Sequence, residues 1–179
     1  MSNVEIISKI DNCINSMSQC TIERRNFDDY NMYCIPIKRS KNLLMVHYIY
    51  DFSFDGFKIV RLKDITSVNH SDIENFHEMI YKKEKIFPPY PPKLCLLSYE
   101  DVFNFFINKN IEVECEDLSV NTFDIGKVMR VSESYLELHR FDSLGVWDEK
   151  NKIVSFSDIS CVTWGNRYLN ILSKYVCEK

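Results

Sequence analysis

The sequence predicts an α+β protein of two tandem repeats, each with an N-terminal helix, a small five-stranded antiparallel barrel and a short terminal helix. Three observations predict this class. One segment occurs twice, apolar spacing changes from three or four residues to two after each predicted helix, and a proline-rich run separates the halves. The predicted boundaries are residues 1–86 for the first repeat, 87–92 for the linker and 93–179 for the second repeat.

The repeated segment comprises residues 52–68 and 141–162. The offset between the copies is 89 residues at their start and 94 further on, which indicates a longer turn in the second copy. We expect the two shared glycines to lie where a strand bends sharply, and the two shared aspartates to accept backbone hydrogen bonds at the next turn. The identical pairs are Phe52/Phe141, Gly56/Gly145, Ile59/Ile153, Val60/Val154, Asp64/Asp158, Ile65/Ile159 and Val68/Val162.

Helical periodicity opens the first half. Apolar residues at steps of three and four predict an amphipathic helix that packs on the core, with Ser2 as its cap. Alternation with a period of two then predicts strands between residues 21 and 62, with a hairpin turn at residues 53–56, where Asp55 precedes Gly56. The residues of the predicted helix face are Val4, Ile7, Ile10, Ile14 and Met17.

A second helix is predicted after Ser71. Ser71 and Glu74 have the spacing of a capping box, in which each side chain accepts a hydrogen bond from an amide of the first helical turn. Ile73, Phe76 and Ile80 form the apolar stripe of this helix.

Residues 87–92 hold four of the five prolines. Proline fixes φ and lacks a backbone donor, so this run is predicted to be an extended linker. Beyond it, a helix begins near Ser98 with Val102, Phe103 and Phe106 on one face, and an offset of 89 residues places these on the face of the first helix. Strands are expected at 111–115, 127–131, 135–140 and within 141–162, and a closing helix on Tyr168, Ile171, Leu172 and Tyr175.

The acidic residues are concentrated in the second half. The formal net charge is −4, and by count residues 1–86 carry twelve basic and twelve acidic residues, whereas residues 93–179 carry ten basic and fourteen acidic. Phosphate backbones are bound by clustered Lys and Arg. The balance therefore makes nucleic acid an unlikely partner and favours a basic protein partner.

The seven cysteines are odd in number and form no CxxC pair. The N-terminus has no basic segment followed by an apolar run, and no stretch approaches the roughly 18 apolar residues of a membrane span. The sequence therefore predicts a cytoplasmic protein with reduced thiols and no membrane association.

No catalytic or cofactor motif is present. The sequence lacks GxSxG, P-loop, GxGxxG and HxE…CxxC patterns. His70 and His77 are seven residues apart, but His70 precedes the predicted helix cap and no Cys/His ligand set accompanies them, so we interpret them as cap or surface residues. The sequence predicts no enzyme, no cofactor and no metal site.

The densest charge cluster is the predicted partner-binding surface. Its acidic residues alternate with Val113 and Cys115, so they are predicted to line one face of a strand. Two tryptophans near the repeated segment are added to this candidate site, although core packing is the alternative role for both. The candidate residues are Glu112, Glu114, Glu116, Asp117, Trp147 and Trp164.

A leading helix followed by five bent strands resembles the Sm-like and SH3-like small barrels. An Sm-like resemblance implies oligomeric rings that bind uridine-rich single-stranded RNA through loops with an Asp and a nearby Asn, and with a basic residue before Gly. The corresponding segments here are Ser-Val-Asn-His at 67–70 and Thr-Trp-Gly-Asn at 163–166, and neither has a basic residue before Gly.

The sequence leads to three hypotheses of function. The first is a non-enzymatic protein-binding module, such as an immunity- or antitoxin-like inhibitor that masks the surface of a basic partner. The alternative is an Sm-like single-stranded RNA-binding protein. A small hydrolase whose site has no sequence motif is the third.

Overall fold

The computed structural model describes residues 1–24, 31–117 and 122–176. Its helices are α1 (Asn3–Ser16), α2 (Asp72–Glu84), α3 (Tyr99–Lys109) and α4 (Arg167–Leu172), with 3₁₀ turns at Leu62–Asp64 and Ser173–Tyr175. Its strands are β1 (Cys20–Arg24), β2 (Met32–Arg39), β3 (Leu43–Tyr50), β4 (Ser53–Arg61), β5 (Ile65–Asn69), β6 (Glu112–Asp117), β7 (Thr122–Val131), β8 (Tyr135–Arg140), β9 (Lys152–Ser155) and β10 (Ile159–Trp164). The chain divides into two units, Met1–Pro92 and Lys93–Lys179.

In each unit the strands form an open antiparallel sheet. Their order is β5-β1-β2-β3-β4 in the first unit and β10-β6-β7-β8-β9 in the second. A closed barrel would need β4 to pair with β5, and β9 with β10, but the members of each pair lie at opposite ends of these orders in the described residues. The predicted fold class of two small closed barrels is therefore wrong.

Helices on both faces explain why the first sheet does not close. Cys13 of α1 contacts Cys20 of β1, whereas the hydroxyl of Thr21, the next residue of β1, donates to Glu74 of α2. Neighbouring residues of a strand point to opposite faces. The helices α1 and α2 therefore cover opposite faces, and apolar residues of the sheet are buried without closure.

The second unit has the same arrangement. The ring of Phe106 in α3 contacts the indole of Trp164 in β10, with 5.1 Å between the centroids. On the other face, Leu169 of α4 is buried with Ile125 and Phe141. The buried residues of α3 are Val102, Phe103 and Phe106, which confirms the predicted face of this helix.

The leading helices of the two units end in the same way. Met17 after α1 and Asn110 after α3 both have left-handed backbone, with φ of 54° and 49°. After α1, Ser18 donates its N–H to the Cys13 carbonyl at 3.0 Å. After α3, Ile111 donates its N–H to the Phe106 carbonyl at 3.1 Å. Equivalent residues of the helices are therefore 93 apart, and the predicted offset of 89 is wrong for them.

Two details of the first half differ from prediction. The β3–β4 hairpin turns at Asp51 and Phe52, whose φ values of 45° and 59° suit a two-residue turn, and not at residues 53–56. In α1 the core face consists of Ile6, Ile10 and Cys13. The predicted face is wrong at its ends, because Val4 and Met17 are exposed.

The four residues predicted at turns lie in different surroundings. Gly56, with a φ of 79°, is inside β4 where its pairing with β3 shifts register. Gly145 has a φ of 72°, and its N–H bonds to the Asp142 carbonyl at 3.0 Å. Asp64 is buried and accepts from Arg61 Nε at 2.5 Å. Asp158 accepts from the Ser157 hydroxyl at 2.9 Å.

None of the helices in the described part of the chain has the length and apolar character needed to cross a membrane.

At Gly126 of β7, the paired strand β8 leaves no space for a side chain. A Cβ there would lie 2.0 Å from the His139 carbonyl oxygen and 2.8 Å from Arg140 Cα. These are backbone atoms of the paired strand, so they cannot move without breaking the pairing. We expect Gly126→Ala to lower the free energy of unfolding by about 3 kcal/mol, measured by urea denaturation.

The control for that substitution is Gly145→Ala. Its φ of 72° makes Ala unfavourable, but the nearest atom, the Tyr175 carbonyl oxygen, lies 3.0 Å away. We expect a loss of about 1–2 kcal/mol. A greater loss at Gly145 than at Gly126 would contradict the steric argument.

Buried His47 makes stability depend on pH. It is 3% exposed, its Nδ1 has no hydrogen-bond partner in the described residues, and its ring packs on Phe57 at 4.8 Å. Burial lowers the pKa of His47 to about 4 from 6.5. The folded protein thus favours neutral imidazole, and this stability is present above pH 6.5 and lost as the pH falls toward 4.

We expect this loss to be roughly 3 kcal/mol. The measurement is urea denaturation of the wild type and of His47→Leu across this pH range. The variant should lose less stability on acidification than the wild type. Parallel pH profiles for the two proteins would contradict the assignment.

Candidate functional site

Helix α2 packs on the sheet through its polar side. Glu74 accepts hydrogen bonds from the Thr21 hydroxyl and, at 2.7 Å, from the Ser71 backbone N–H. Glu78 Oε1 accepts from the buried Gln19 backbone N–H at 2.8 Å. Two carboxylates of the helix therefore satisfy donors of β1 and of the residue before it.

The surroundings of Glu74 and Tyr81 shift the pKa values of both groups. Burial alone raises the pKa of Glu74, but the hydrogen bonds from Ser71 and Thr21 outweigh it and hold the pKa below its usual range. Tyr81 is buried against Ile35 and Ile49, and burial raises the pKa of its phenol. Glu74 is thus a buried carboxylate that is stabilised by its donors.

The apolar stripe of α2 faces away from the sheet. Ile73 is 61% exposed, Phe76 57% and Met79 38%, and Ile80 is half-buried. We call these four residues the outward face of α2. The stripe identified in the sequence therefore lies away from the sheet. Glu74, Glu78 and Tyr81 occupy the opposite side of the helix, and that side meets the sheet.

A group of aromatic rings lies beside the packed side of α2. The His77 ring is 5.0 Å from that of Phe52 and 6.3 Å from that of Tyr33. Its Nδ1 is 3.3 Å from Gln19 Nε2, and His70 Nδ1 is 2.7 Å from the Gln19 carbonyl oxygen. The backbone hydrogen bond to Gln19 raises the pKa of His70. Both histidines therefore hold Gln19 in place.

The acidic residues predicted to bind a partner lie on β6, which pairs with β10 on one side and with β7 on the other. Glu112, Glu114 and Glu116 share one face and are half-buried, as is Asp117. Lys127 Nζ lies 3.6 Å from Glu112 Oε1. Their role in partner binding stays a prediction.

The two tryptophans that were grouped with these acids lie in different places. Trp164 is buried against Phe106. Trp147 is half-buried, and its ring centroid lies 4.6 Å from that of His139 and 5.0 Å from that of Phe141. Trp164 is enclosed in the core below α3, so it is not brought together with the carboxylates on the other face of β6.

The second unit contains a cavity of about 210 Å³. Three carboxylates and three aromatic rings line it, together with one guanidinium group, and we call it the acidic cavity. Its lining residues are Phe123, Asp124, Ile125, Arg140, Phe141, Asp142, Ser143, Asp148 and Tyr168.

A chain of alternating charges forms one wall of the acidic cavity. Asp124 is buried and accepts from Lys152 Nζ at 2.7 Å and from Arg140 Nη1 at 2.6 Å. Arg140 also reaches Asp148 Oδ2, with Nη2 at 2.6 Å. The Asp124 carboxylate, aided by Asp148, raises the pKa of Arg140. The guanidinium is thereby fixed between two carboxylates.

The loop from Phe141 to Asp148 closes another side of the cavity. Asp142 Oδ1 accepts the backbone N–H groups of Leu144 at 2.9 Å and Val146 at 3.0 Å. In the described residues the contacts of Asp142 use Oδ1 and those of Asp148 use Oδ2. One oxygen of each carboxylate is therefore available to a ligand.

Sequence reasoning did not identify the acidic cavity. Asp124, Arg140 and Asp148 come from β7, the end of β8 and the following loop, so only strand pairing brings them together. One signal was present, because Asp142 and Asp148 lie in the segment that is longer in the second copy of the repeat.

Asp124 is the residue on which the charge chain depends. Replacing it by Asn would remove the buried charge that Arg140 and Lys152 share. We expect Asp124→Asn to cost roughly 1.5–3 kcal/mol of unfolding free energy, the contribution of hydrogen bonds to a charged group. Urea denaturation measures this loss.

The matched control is Glu137→Gln, which removes an exposed pair in which Arg130 Nη1 lies 3.5 Å from Glu137 Oε1. We expect a change within about 0.5 kcal/mol for it. Equal effects of the two substitutions would refute the structural importance of Asp124.

Comparison with known proteins assigns no family to this chain. No protein-family model, no curated protein and no solved structure matches it. Its function therefore has to be inferred from the chemistry of the described residues, above all from the outward face of α2 and from the acidic cavity.

Proposed function

We propose that this protein is a non-enzymatic protein-binding module that binds its partner through the outward face of α2. The observation that carries this proposal is the orientation of the helix. Glu74 and Glu78 are turned toward the sheet. Ile73, Phe76 and Met79 are turned toward solvent.

The spacing of these residues suits a partner groove. Ile73, Phe76 and Ile80 lie at helical steps of three and four, which is how an amphipathic helix presents its anchors to a hydrophobic groove. Full burial of an exposed side chain of this kind contributes roughly 1.5–3 kcal/mol. Ile73 and Phe76, which are 61% and 57% exposed, can supply more than half of that when a partner covers them. Two or three anchors thus supply a large part of the binding free energy of a specific complex.

The charge distribution supports a basic partner. The excess of acidic residues lies in 93–179, and a module that masks a basic surface needs complementary charge and no catalytic groups. We propose an immunity- or antitoxin-like inhibitor, built from two related helix-and-sheet units and acting in the cytoplasm. No disulfide joins the six cysteines of the described residues, which is compatible with a reducing compartment.

The test compares capture of partners by the wild type and by the double variant Ile73→Gln/Phe76→Gln. Both side chains are exposed, so we expect the variant to keep its stability within about 0.5 kcal/mol and to lose a stoichiometric protein partner from lysates of the native host. Mass spectrometry of the captured protein gives the readout.

The control is Val4→Gln, which removes an exposed apolar side chain from α1 and should leave capture unchanged. Retention of the same partner by the double variant would overturn the proposal. So would a homodimer of the wild type that the double variant abolishes, because a second copy would then cover the face.

The alternative function is single-stranded RNA binding, which the Sm-like resemblance implies. It predicts retention of uridine-rich RNA that falls steeply with salt. Such retention by the wild type, unaffected by Ile73→Gln/Phe76→Gln, would favour the alternative over protein binding.

A further inference from the structure

We propose that the acidic cavity binds one cationic side chain, an arginine or a lysine of a basic protein partner. That the ligand belongs to a protein rests on the proposed function. The preference for a cation rests on the cavity itself and can be tested without the partner.

The size of the cavity suits a single side chain. Its volume of about 210 Å³ is below the roughly 300–1,000 Å³ of sites for small molecules of drug size. A long, unbranched side chain with a charged end fits such a space better than a cofactor or a nucleotide does.

The charge of the lining selects the sign of the ligand. Three carboxylates, those of Asp124, Asp142 and Asp148, face the guanidinium of Arg140, and the ammonium of Lys152 lies on Asp124, so one net negative charge remains. Asp124 has both oxygens engaged, by Arg140 and Lys152. Asp142 Oδ2 and Asp148 Oδ1 make no hydrogen bond to another of the described residues, so these two oxygens are the acceptors for an incoming N–H donor.

Aromatic rings complete the environment for a cation. Phe123, Phe141 and Tyr168 line the cavity, and Phe123 and Tyr168 are about half exposed. A guanidinium or ammonium group over such a ring is attracted by the electrons of its face. The planar guanidinium of arginine also stacks on rings and binds carboxylates with two parallel hydrogen bonds, which favours arginine over lysine.

An anion is the ligand that this arrangement disfavours. Arg140 already donates through Nε and Nη2 to Asp148 and through Nη1 to Asp124. An anion that approached its remaining N–H groups would lie among three carboxylates. Inorganic phosphate therefore serves as the probe of opposite sign.

The experiment is an NMR titration of the full chain with a glycine-flanked arginine pentapeptide amide. We expect shifts of the backbone amide signals of Asp142, Ser143, Asp148 and Tyr168. The twin peptide with norleucine in place of arginine, and inorganic phosphate, should not shift them. Equal shifts with norleucine, shifts with phosphate, or no shifts at millimolar arginine peptide would each overturn the proposal.

Asp142→Asn tests the site with little effect on the fold. The amide oxygen of Asn can still accept the Leu144 and Val146 N–H groups, but the charge is lost. We expect binding of the arginine peptide to weaken about threefold, as for a partly exposed ion pair. Glu133→Gln, which removes an exposed charge of the same unit, should not change it. Unaltered binding by Asp142→Asn would count against the site.

This result is separable from the proposed function. The double variant Ile73→Gln/Phe76→Gln should bind the arginine peptide as the wild type does, because α2 contributes no residue to the cavity. If that variant no longer captures the partner but still binds the arginine peptide, both proposals are supported. If the wild type does not bind the arginine peptide, only the proposal for the cavity is refuted.

Discussion

The hydrogen bond from the Thr21 hydroxyl to the Glu74 carboxylate fixes which side of α2 meets the sheet. Glu78 reinforces it by accepting the Gln19 N–H. Hydrogen bonds to charged groups contribute about 1.5–3 kcal/mol each, and the loss of a partner for a buried donor such as the Gln19 N–H costs about 1–3 kcal/mol. Turning α2 over would bury Ile73 and Phe76, with a gain of similar size, but would break both polar contacts. A partner that covers the outward face adds the apolar gain without this loss.

The helices that follow the last strand of each unit, α2 and α4, pack on their sheets through different kinds of contact. In the first unit the carboxylates of Glu74 and Glu78 accept from donors at the start of β1, and Tyr81 is the buried ring of α2. In the second unit Leu169 of α4 packs on Ile125 and Phe141, and α4 has only six residues. Tyr168 of this short helix lines the acidic cavity, whereas α2, with 13 residues, leaves Ile73 and Phe76 exposed.

The sequence predicted local features better than the pairing between them. The capping box of Ser71 and Glu74 is present, because it depends on residues three apart. The offset of the repeat was misjudged in its first part, since Val68 pairs with Ile22 and Val162 pairs with Cys115, which gives offsets of 94 and 93. Periodicity identified the apolar stripe of α2 but could not say that Glu74 would be satisfied by Thr21, more than fifty residues away. The cavity depends in the same way on pairing between β7 and β8.

The two candidate surfaces have complementary tasks if they act on one partner. Apolar contact supplies affinity with little selectivity, because any hydrophobic groove of suitable width accepts Ile73 and Phe76. A cavity lined by carboxylates and aromatic rings favours a side chain of the right charge and length. A neutral or acidic side chain in the cavity would leave the carboxylates of Asp142 and Asp148 without a positive partner, which disfavours it. Discrimination would then come from the second unit and binding strength from the first. With this division, the outward face of α2 would need no acidic residues of its own for the proposed selection of a basic partner.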